Sequence, residues 1–267
     1  MAAMTARESA MMASKLLVDS RDRVQWLTLN RAERRNALDK ETMLALKEAI
    51  TRAGHDPATR VIVLAGAGGA FSAGADLKAN AEVRGREDMI EAYYNPVIRA
   101  IRHAQKPVIA AIDGVATGYG CSLALACDIR LASERARLSL IFVKVGLGLD
   151  GGASYFLPRL VGLRAYELAL TGQMVEAAES ERIGLVNHVY PAEGFDDRVQ
   201  SYASQLAAQA PIAMATIKQS IDRALDASLD EVLENERFNQ QDIFRTEDFA
   251  EGVASFLEKR PAVYKGR

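Results

Sequence analysis

Residues 66–78, Gly66-Ala67-Gly68-Gly69-Ala70-Phe71-Ser72-Ala73-Gly74-Ala75-Asp76-Leu77-Lys78, follow directly on an apolar run, Val61-Ile62-Val63-Leu64. Glycine permits backbone angles closed to other residues and alanine adds little bulk, so a ligand oxygen can come close to the peptide N–H groups of such a loop. The same residues also fit a plain strand-to-helix turn with Asp76 as its N-cap. A second stretch repeats the arrangement: Gly114-Val115-Ala116-Thr117-Gly118-Tyr119-Gly120-Cys121-Ser122 follows the apolar residues 108–112 and opens a helical stretch, 123–127. Two turns of this kind, each offering N–H groups near a helix start, can converge on one oxygen and stabilise negative charge as it develops there.

Other chemistries find little in the chain. Gly146-Leu147-Gly148-Leu149-Asp150-Gly151 matches G-x-G-x-x-G, but its approach segment is short and poorly hydrophobic, and Asp150 puts a negative charge where a pyrophosphate would sit. No glycine loop continues into Gly-Lys-Ser or Gly-Lys-Thr, and no G-x-S-x-G elbow is present. The three histidines, His55, His103 and His188, are widely separated, and no metal-ligand spacing is found. What remains is backbone donors plus carboxylates. With 33 basic and 35 acidic residues the formal charge is −2, which gives no electrostatic reason to expect nucleic acid or an anionic membrane as partner.

The elements that must position these loops follow from pattern. Residues 15–30 read as a β-hairpin turning at Asp19 to Asp22. Asp39 is placed as an N-cap, and Met43, Leu46 and Ile50 share one face of a helix over 40–52. The first loop, with its strand at 60–65, is followed by a helix predicted from Arg86 to Ala104, bent or interrupted at Pro96. Strand 108–112, the second loop and a short helix make a further round. A third has strands at 128–132 and 138–140 and a helix from Gly151 onward. Helices over 163–170 and 176–183, a strand over 185–190, and helical signal from Asp196 to Leu257 complete the chain, with Pro211 suited to a first helical turn. The alternation predicts an α/β (α+β) structure of repeated sheet-and-helix units without a fixed-length sequence repeat.

The 267 residues suffice for a large core. Cys121 and Cys127 lack disulfide or zinc spacing and fit a reducing compartment. The first 14 residues carry Glu8, lack a strong apolar run and read as a disordered start rather than a targeting segment. No apolar run approaches the roughly 18 residues a membrane span requires, so a cytoplasmic protein is expected.

Several segments, taken together, resemble the crotonase (enoyl-CoA hydratase/isomerase) family in order and spacing. They are Leu29-Asn30-Arg31 with Arg35-Asn36-Ala37-Leu38, Phe71 to Leu77, Gly114 to Cys121 with Ala126-Cys127-Asp128-Ile129, Gly151-Gly152 ahead of Leu157-Pro158-Arg159-Leu160, and Phe256-Leu257-Glu258-Lys259-Arg260-Pro261. The resemblance covers nearly the whole chain from residue 15. It implies a spiral of β-β-α turns over residues 15–200, binding an acyl-coenzyme A thioester, and a helical C-terminal region, 201–267, that builds homotrimers, often paired into hexamers. It implies no cofactor beyond the coenzyme A carried by the substrate. By position, the N–H groups of Ala75 and Tyr119 form the oxyanion hole for the thioester carbonyl. The resemblance also puts Arg34, Arg35 and Ala73 near the coenzyme A nucleotide, Gly74, Asp76 and Leu77 along the same loop, and Lys259 within reach of phosphate.

The departures choose the reaction. Hydratases of the family flank the substrate double bond with two glutamates, and at the matching positions this chain has Ser122 and Phe142. Neither is an acid or base at neutral pH, and Phe142 makes the wall apolar. Asp150 matches the aspartate of several isomerase members, and enclosure beside Phe142 is expected to raise its pKa. One base suffices for a 1,3-proton shift, so the expected activity is double-bond migration of the Δ3-to-Δ2 type, or a related ring isomerisation, through a thioester enolate. Two other readings stay open: a hydratase using a different acid/base group, and an acyl-CoA-binding homologue with little catalysis. Asp150 as a simple cap of the helix that follows is the structural alternative.

Overall fold

The computed structural model describes residues 14–79 and 88–267. The expected disordered start, up to residue 13, and the beginning of the helix placed at Arg86 lie outside the described residues. The chain opens with β1 (Leu16–Arg21) and β2 (Val24–Leu29), the predicted hairpin but with its turn at Asp22-Arg23 rather than at Asp19 to Asp22, and then α1 (Lys40–His55). Asp39 caps α1 by accepting from the Thr42 N–H at 2.9 Å, and Met43, Leu46 and Ile50 are buried on its inner face.

Three rounds follow, and each sends one strand to each of two sheets. The pairs are β3 (Val61–Gly66) with β4 (Ala70–Ser72), β5 (Val108–Ile112) with β6 (Val115–Thr117), and β7 (Ile129–Ser133) with β8 (Arg137–Ser139). The helices of these rounds are α2 (Asn95–His103), α3 (Tyr119–Ala126) and α4 (Ala153–Val161). The larger sheet has the order β1-β2-β3-β5-β7-β10, where β10 spans His188–Tyr190, and is parallel from β2 onward. The smaller sheet runs β4-β6-β8-β9, with β9 at Val175–Glu176.

The central strands of the larger sheet are buried on both faces, which is why β3 and β5 read as continuous apolar runs rather than alternating ones. Val61, Val63 and Ala65 meet α7 (Phe195–Ala207) through Phe195, Val199 and Ala203. Ile62 and Leu64 join the main core on the other face. α5 (Arg164–Thr171) packs against α4 and the short turn Ile141–Val145, and α6 (Ala177–Arg182) against β8 and β9 of the smaller sheet.

Four further sequence expectations are corrected. The two glycine loops are not plain turns, because each contains a short strand, β4 or β6. The third helix starts at Tyr119 rather than Leu123. The fourth starts at Ala153, since Gly151 and Gly152 take left-handed angles of +58° and +76°. The strand expected over 185–190 is confined to the three residues of β10. Around Pro96 a π-helical turn over Ile90–Tyr94 gives way to α2, whose first turn holds the proline.

The C-terminal helices are α8 (Pro211–Ala224), α9 (Leu229–Ile243) and α10 (Glu247–Glu258). No residue of α8 or α9 is fully buried in the single chain. α8 is fastened to the core by charge: Lys218 pairs with Asp128 at 2.8 Å and donates to the Ile101 carbonyl at 2.9 Å, and Arg102 joins both Asp128 and Asp222. Asp128 also accepts the Val108 N–H at 2.8 Å, which ties this network to β5.

Candidate active site

β4 and β6 are parallel neighbours, so the residues that follow them emerge side by side. After β4 come Ala73 to Leu77; after β6 come Gly118 and the first turn of α3. The chain around Ala75 pairs in parallel with Leu38. Leu38 N–H donates to the Gly74 carbonyl at 2.8 Å, and Asp76 N–H donates to the Leu38 carbonyl at 2.9 Å. Alternation along an extended segment then turns the Ala75 N–H away from Leu38. Neither the Ala75 N–H nor the Tyr119 N–H donates to a backbone carbonyl of the described residues. Tyr119 is the first residue of α3, where N–H groups have no intrahelical acceptor and the helix dipole is positive. Gly74 joins the two segments: its φ is +91°, and a Cβ there would stand 2.6 Å from the Thr117 carbonyl oxygen and 3.3 Å from the Tyr119 nitrogen. Only glycine lets the loops approach so closely.

Asn36 holds the first loop in place. Its side chain donates to the carbonyls of Ala67 (2.9 Å) and Ala70 (2.7 Å) and accepts from the Arg31 N–H at 2.8 Å. Its own carbonyl accepts from Ser72 Oγ at 2.8 Å, and that oxygen in turn accepts from the Gly74 N–H at 3.1 Å. Sequence reasoning noted Asn36 as part of a motif and gave it no task. Its buried amide and left-handed φ of +55° show that it is the clamp.

The third segment is the turn 148–152. Gly151 lies on the Tyr119 ring, so that a Cβ there would come within 2.9 Å of Tyr119 Cε2 and 2.7 Å of Ser122 Cβ. The Tyr119 hydroxyl donates to the Tyr94 carbonyl at 2.8 Å, and the two rings meet edge to face with centroids 4.6 Å apart. Asp150 does not cap the following helix, whose N-cap is Gly152 with no side-chain cap. Its Oδ1 is buried and has no hydrogen-bond partner among the described residues. Burial without compensation pushes the carboxyl up to about 6. The Tyr119 phenol is raised well above its usual value, first by burial and then by the negative charge of Asp150.

Ala75, Leu77, Tyr94, Leu149, Asp150 and Gly151 line one cavity of about 530 Å³, within the range of small-ligand sites. Ala75, Leu77 and Asp150 are thus brought together, with Tyr119 directly behind Gly151. Asp76, between Ala75 and Leu77, faces the other way, toward Arg31 at 3.0 Å. Burial works to raise the Asp76 pKa, but hydrogen bonds from the Ala79 N–H and Arg31 outweigh it and hold the carboxyl below its usual range. Phe142 is buried in the wall of a neighbouring cavity, and the rise at Asp150 comes from burial. Ser122 is buried, its hydroxyl 3.4 Å from the Gly118 carbonyl. Arg34 and Arg35 are exposed next to Ala73, whose N–H donates to the Arg35 carbonyl at 2.8 Å. Lys259 is exposed at the C-cap of α10. The opposite end of that helix carries Asp248, which accepts from the N–H groups of Lys265 and Gly266 beside Arg60, ahead of β3.

This arrangement sets one buried carboxylate on a partly apolar cavity, close to two N–H groups, those of Ala75 and Tyr119, that have no backbone acceptor among the described residues. The sequence model of the family described as enoyl-CoA hydratase/isomerase matches residues 19–267. The chain belongs to that family. Among relatives of this family member, the 1,2-epoxyphenylacetyl-CoA isomerase of Escherichia coli (strain K12) is 38% identical over 250 residues, covering 91% of this chain and 95% of that protein. A protein of Rhizobium meliloti (strain 1021) named "Probable enoyl-CoA hydratase" is 39% identical over 256 residues, covering 94% and 98%. The crystal structure of an enoyl-CoA hydratase from Bacillus anthracis superposes with a TM-score of 0.92 at 34% identity, covering 95% of this chain and all of that one. The crotonase-like spiral expected from the sequence is therefore the fold of this enzyme. Among the described residues no helix is long and apolar enough to cross a membrane.

Proposed function

We propose that this enzyme moves a double bond along the acyl chain of an acyl-CoA thioester, with Asp150 carrying the proton and the Ala75 and Tyr119 N–H groups holding the thioester oxygen. The observation that carries this reading is Asp150 itself: a carboxylate oxygen buried at the cavity that Ala75 also lines, without a hydrogen-bond partner among the described residues, with a pKa pushed up to about 6. In a 3-enoyl-CoA the Asp150 carboxylate removes a proton from C2. The electron pair spreads into the carbonyl as a dienolate, whose oxygen receives the two N–H groups. The Asp150 carboxylic acid then returns the proton at C4, leaving the double bond at C2–C3. Each donor contributes on the order of 3–4 kcal/mol to a charge that exists only along the reaction path. A related ring isomerisation draws on the same base and donors.

Arg34, Arg35 and Ala73 lie along one backbone connection and are read as the coenzyme A nucleotide contacts, with Lys259 as a further phosphate contact. The division into a thioester-binding core, 15–200, and a helical region, 201–267, goes with assembly. Ile217, Ile221, Leu233, Phe238, Phe244 and Phe256 are exposed in the single chain, an apolar surface suited to a homotrimer or a pair of trimers. A cytoplasmic place in lipid metabolism fits two buried free thiols.

The test is Asp150→Asn. Double-bond migration in a 3-enoyl-CoA falls by about 10²–10⁴-fold while the fold and the assembly, followed by circular dichroism and light scattering, persist; full activity in the variant would overturn the assignment. The relatives' names favour a hydratase as the second reading. Water addition to crotonyl-CoA by the wild type, faster than migration, would establish that instead, and tight thioester binding without any turnover would mark a binding homologue.

A further inference from the structure

The cavity that holds Asp150 has a neighbour. A second one of about 430 Å³ opens beside it, walled by Phe142, Ala153, Leu157, Ala165 and Ala169. Both cavities share Leu147, Gly148 and Leu149, so this segment is the saddle between them. No charged side chain among the described residues lines the second cavity, and Phe142, Ala153 and Leu157 are buried in its wall. That wall suits hydrocarbon and would leave a polar or charged group unpaired.

Gly148 stands at the middle of the saddle. A Cβ placed there meets nothing within 4 Å among the described residues, and its φ lies outside the left-handed region, so the backbone does not demand glycine here. The missing side chain leaves the surface open between the cavities. The positions of the reacting groups give the direction of travel. A thioester whose oxygen lies at the Ala75 and Tyr119 N–H groups presents C2 to C4 to Asp150. Carbons beyond C4 then leave along Leu149 and Gly148, away from the coenzyme A end at Ala73 and Arg35.

We propose that the acyl group crosses Gly148 and that its apolar end occupies the second cavity. Gly148 is then the residue that determines chain-length specificity, and the substrates are acyl-CoA thioesters with a hydrocarbon extension several carbons beyond the reacting unit. This inference rests on the acyl-CoA reading above, but not on the isomerase step. Burial of each added methylene is worth a factor of roughly four in binding.

Calorimetric titration of the full-length protein with saturated acyl-CoAs, from butanoyl to dodecanoyl, tests it without turnover. In the wild type, affinity rises about fourfold per methylene beyond the reacting unit until the second cavity is full. In Gly148→Phe the rise stops at the saddle, and dodecanoyl-CoA binds at least tenfold more weakly than to the wild type. Ser154→Asp gives an independent reading. Ser154 is an exposed residue on the rim of the second cavity in the first turn of α4, where a negative charge suits the helix N-terminus and folding is preserved. It flattens the same increments by setting a charge beside the chain. Equal increments in the wild type and both variants, or a wild type indifferent to chain length because a neighbouring copy fills the cavity, overturns the inference and leaves the acyl-CoA reading standing. Failure of every acyl-CoA to bind overturns both.

Discussion

Asp76 and Asp150 flank the same cavity and have opposite electrostatic surroundings. Asp76 pairs with Arg31 at 3.0 Å, accepts from the Ala79 N–H at 3.1 Å, and is held below the usual carboxylate range. Asp150 has a buried oxygen with no partner among the described residues and is pushed up to about 6. The first carboxylate is spent on shape: it fixes the loop whose next-door residue, Ala75, lines the cavity. The second is left unspent, which costs stability and, in the proposed reaction, keeps a base near the pH at which it would both take and return a proton. A charged residue at a site edge is therefore read by its partners, not by its proximity to the cavity.

The largest effect tests that contrast directly. Asp150→Asn removes the only ionisable group of the two that faces the cavity, and migration of the double bond falls by about 10²–10⁴-fold. The pH profile carries the same signature. The base must be ionised, so kcat/KM in the wild type rises with pH, reaches half its plateau near the Asp150 value of about 6, and stays high above it. A profile without that limb would remove Asp150 from the proton transfer even if the variant were slow.

The donor side of the comparison is broken at Gly74. A β-carbon there stands 2.6 Å from the Thr117 carbonyl oxygen, on a backbone at φ +91° that alanine resists. Gly74→Ala pushes the Ala75 and Tyr119 N–H groups apart, and kcat falls by about 10²–10³-fold, the loss expected for one misplaced oxyanion donor. Binding of a saturated acyl-CoA, which builds up no charge on its oxygen, weakens far less. Equal losses in kcat and in binding would mean that the loops serve affinity alone.

Much of this was legible in the residues, and the misses share a cause. The apolar runs of β3 and β5, the small-residue loops behind them and the cap at Asp39 were read from local pattern, because each is decided by neighbours in sequence. The second sheet was not legible. β4 and β6 are three residues long and lie inside glycine-rich stretches, so no periodicity develops, and each offers a single large apolar residue, Phe71 or Val115. Asn36 escaped for a similar reason: its partners Ala67 and Ala70 lie more than thirty positions away. Asp76 was grouped with the substrate contacts because it sits among them in sequence, whereas the alternation of an extended segment turns it toward Arg31. Asp150 was placed by its match to the aspartate of isomerase members that the chain resembles, and its lack of partners among the described residues could only come from three dimensions.

The smallest effects are on stability, and there the two aspartates should move in opposite directions. The folded-state pKa of Asp76 is lowered, so its stabilisation is present above the unfolded value and is lost as the pH falls through the folded one. Asp76→Asn forfeits a charged hydrogen bond to a largely buried Arg31, a cost of about 1.5–3 kcal/mol at neutral pH. The folded-state pKa of Asp150 is raised from 3.8 to about 6, so its ionisation opposes folding; the penalty is absent below the lower value, grows between the two and is complete above the upper one. That span is worth about 3 kcal/mol at most. Urea unfolding at pH 7.5 should therefore find Asp150→Asn more stable than the wild type by up to that amount and Asp76→Asn less stable, with the Asp150→Asn and wild-type curves converging near pH 4. An Asp150→Asn protein less stable than the wild type at pH 7.5 would mean that the Asp150 carboxylate has a partner that supports the fold, and the contrast between the two aspartates would fail.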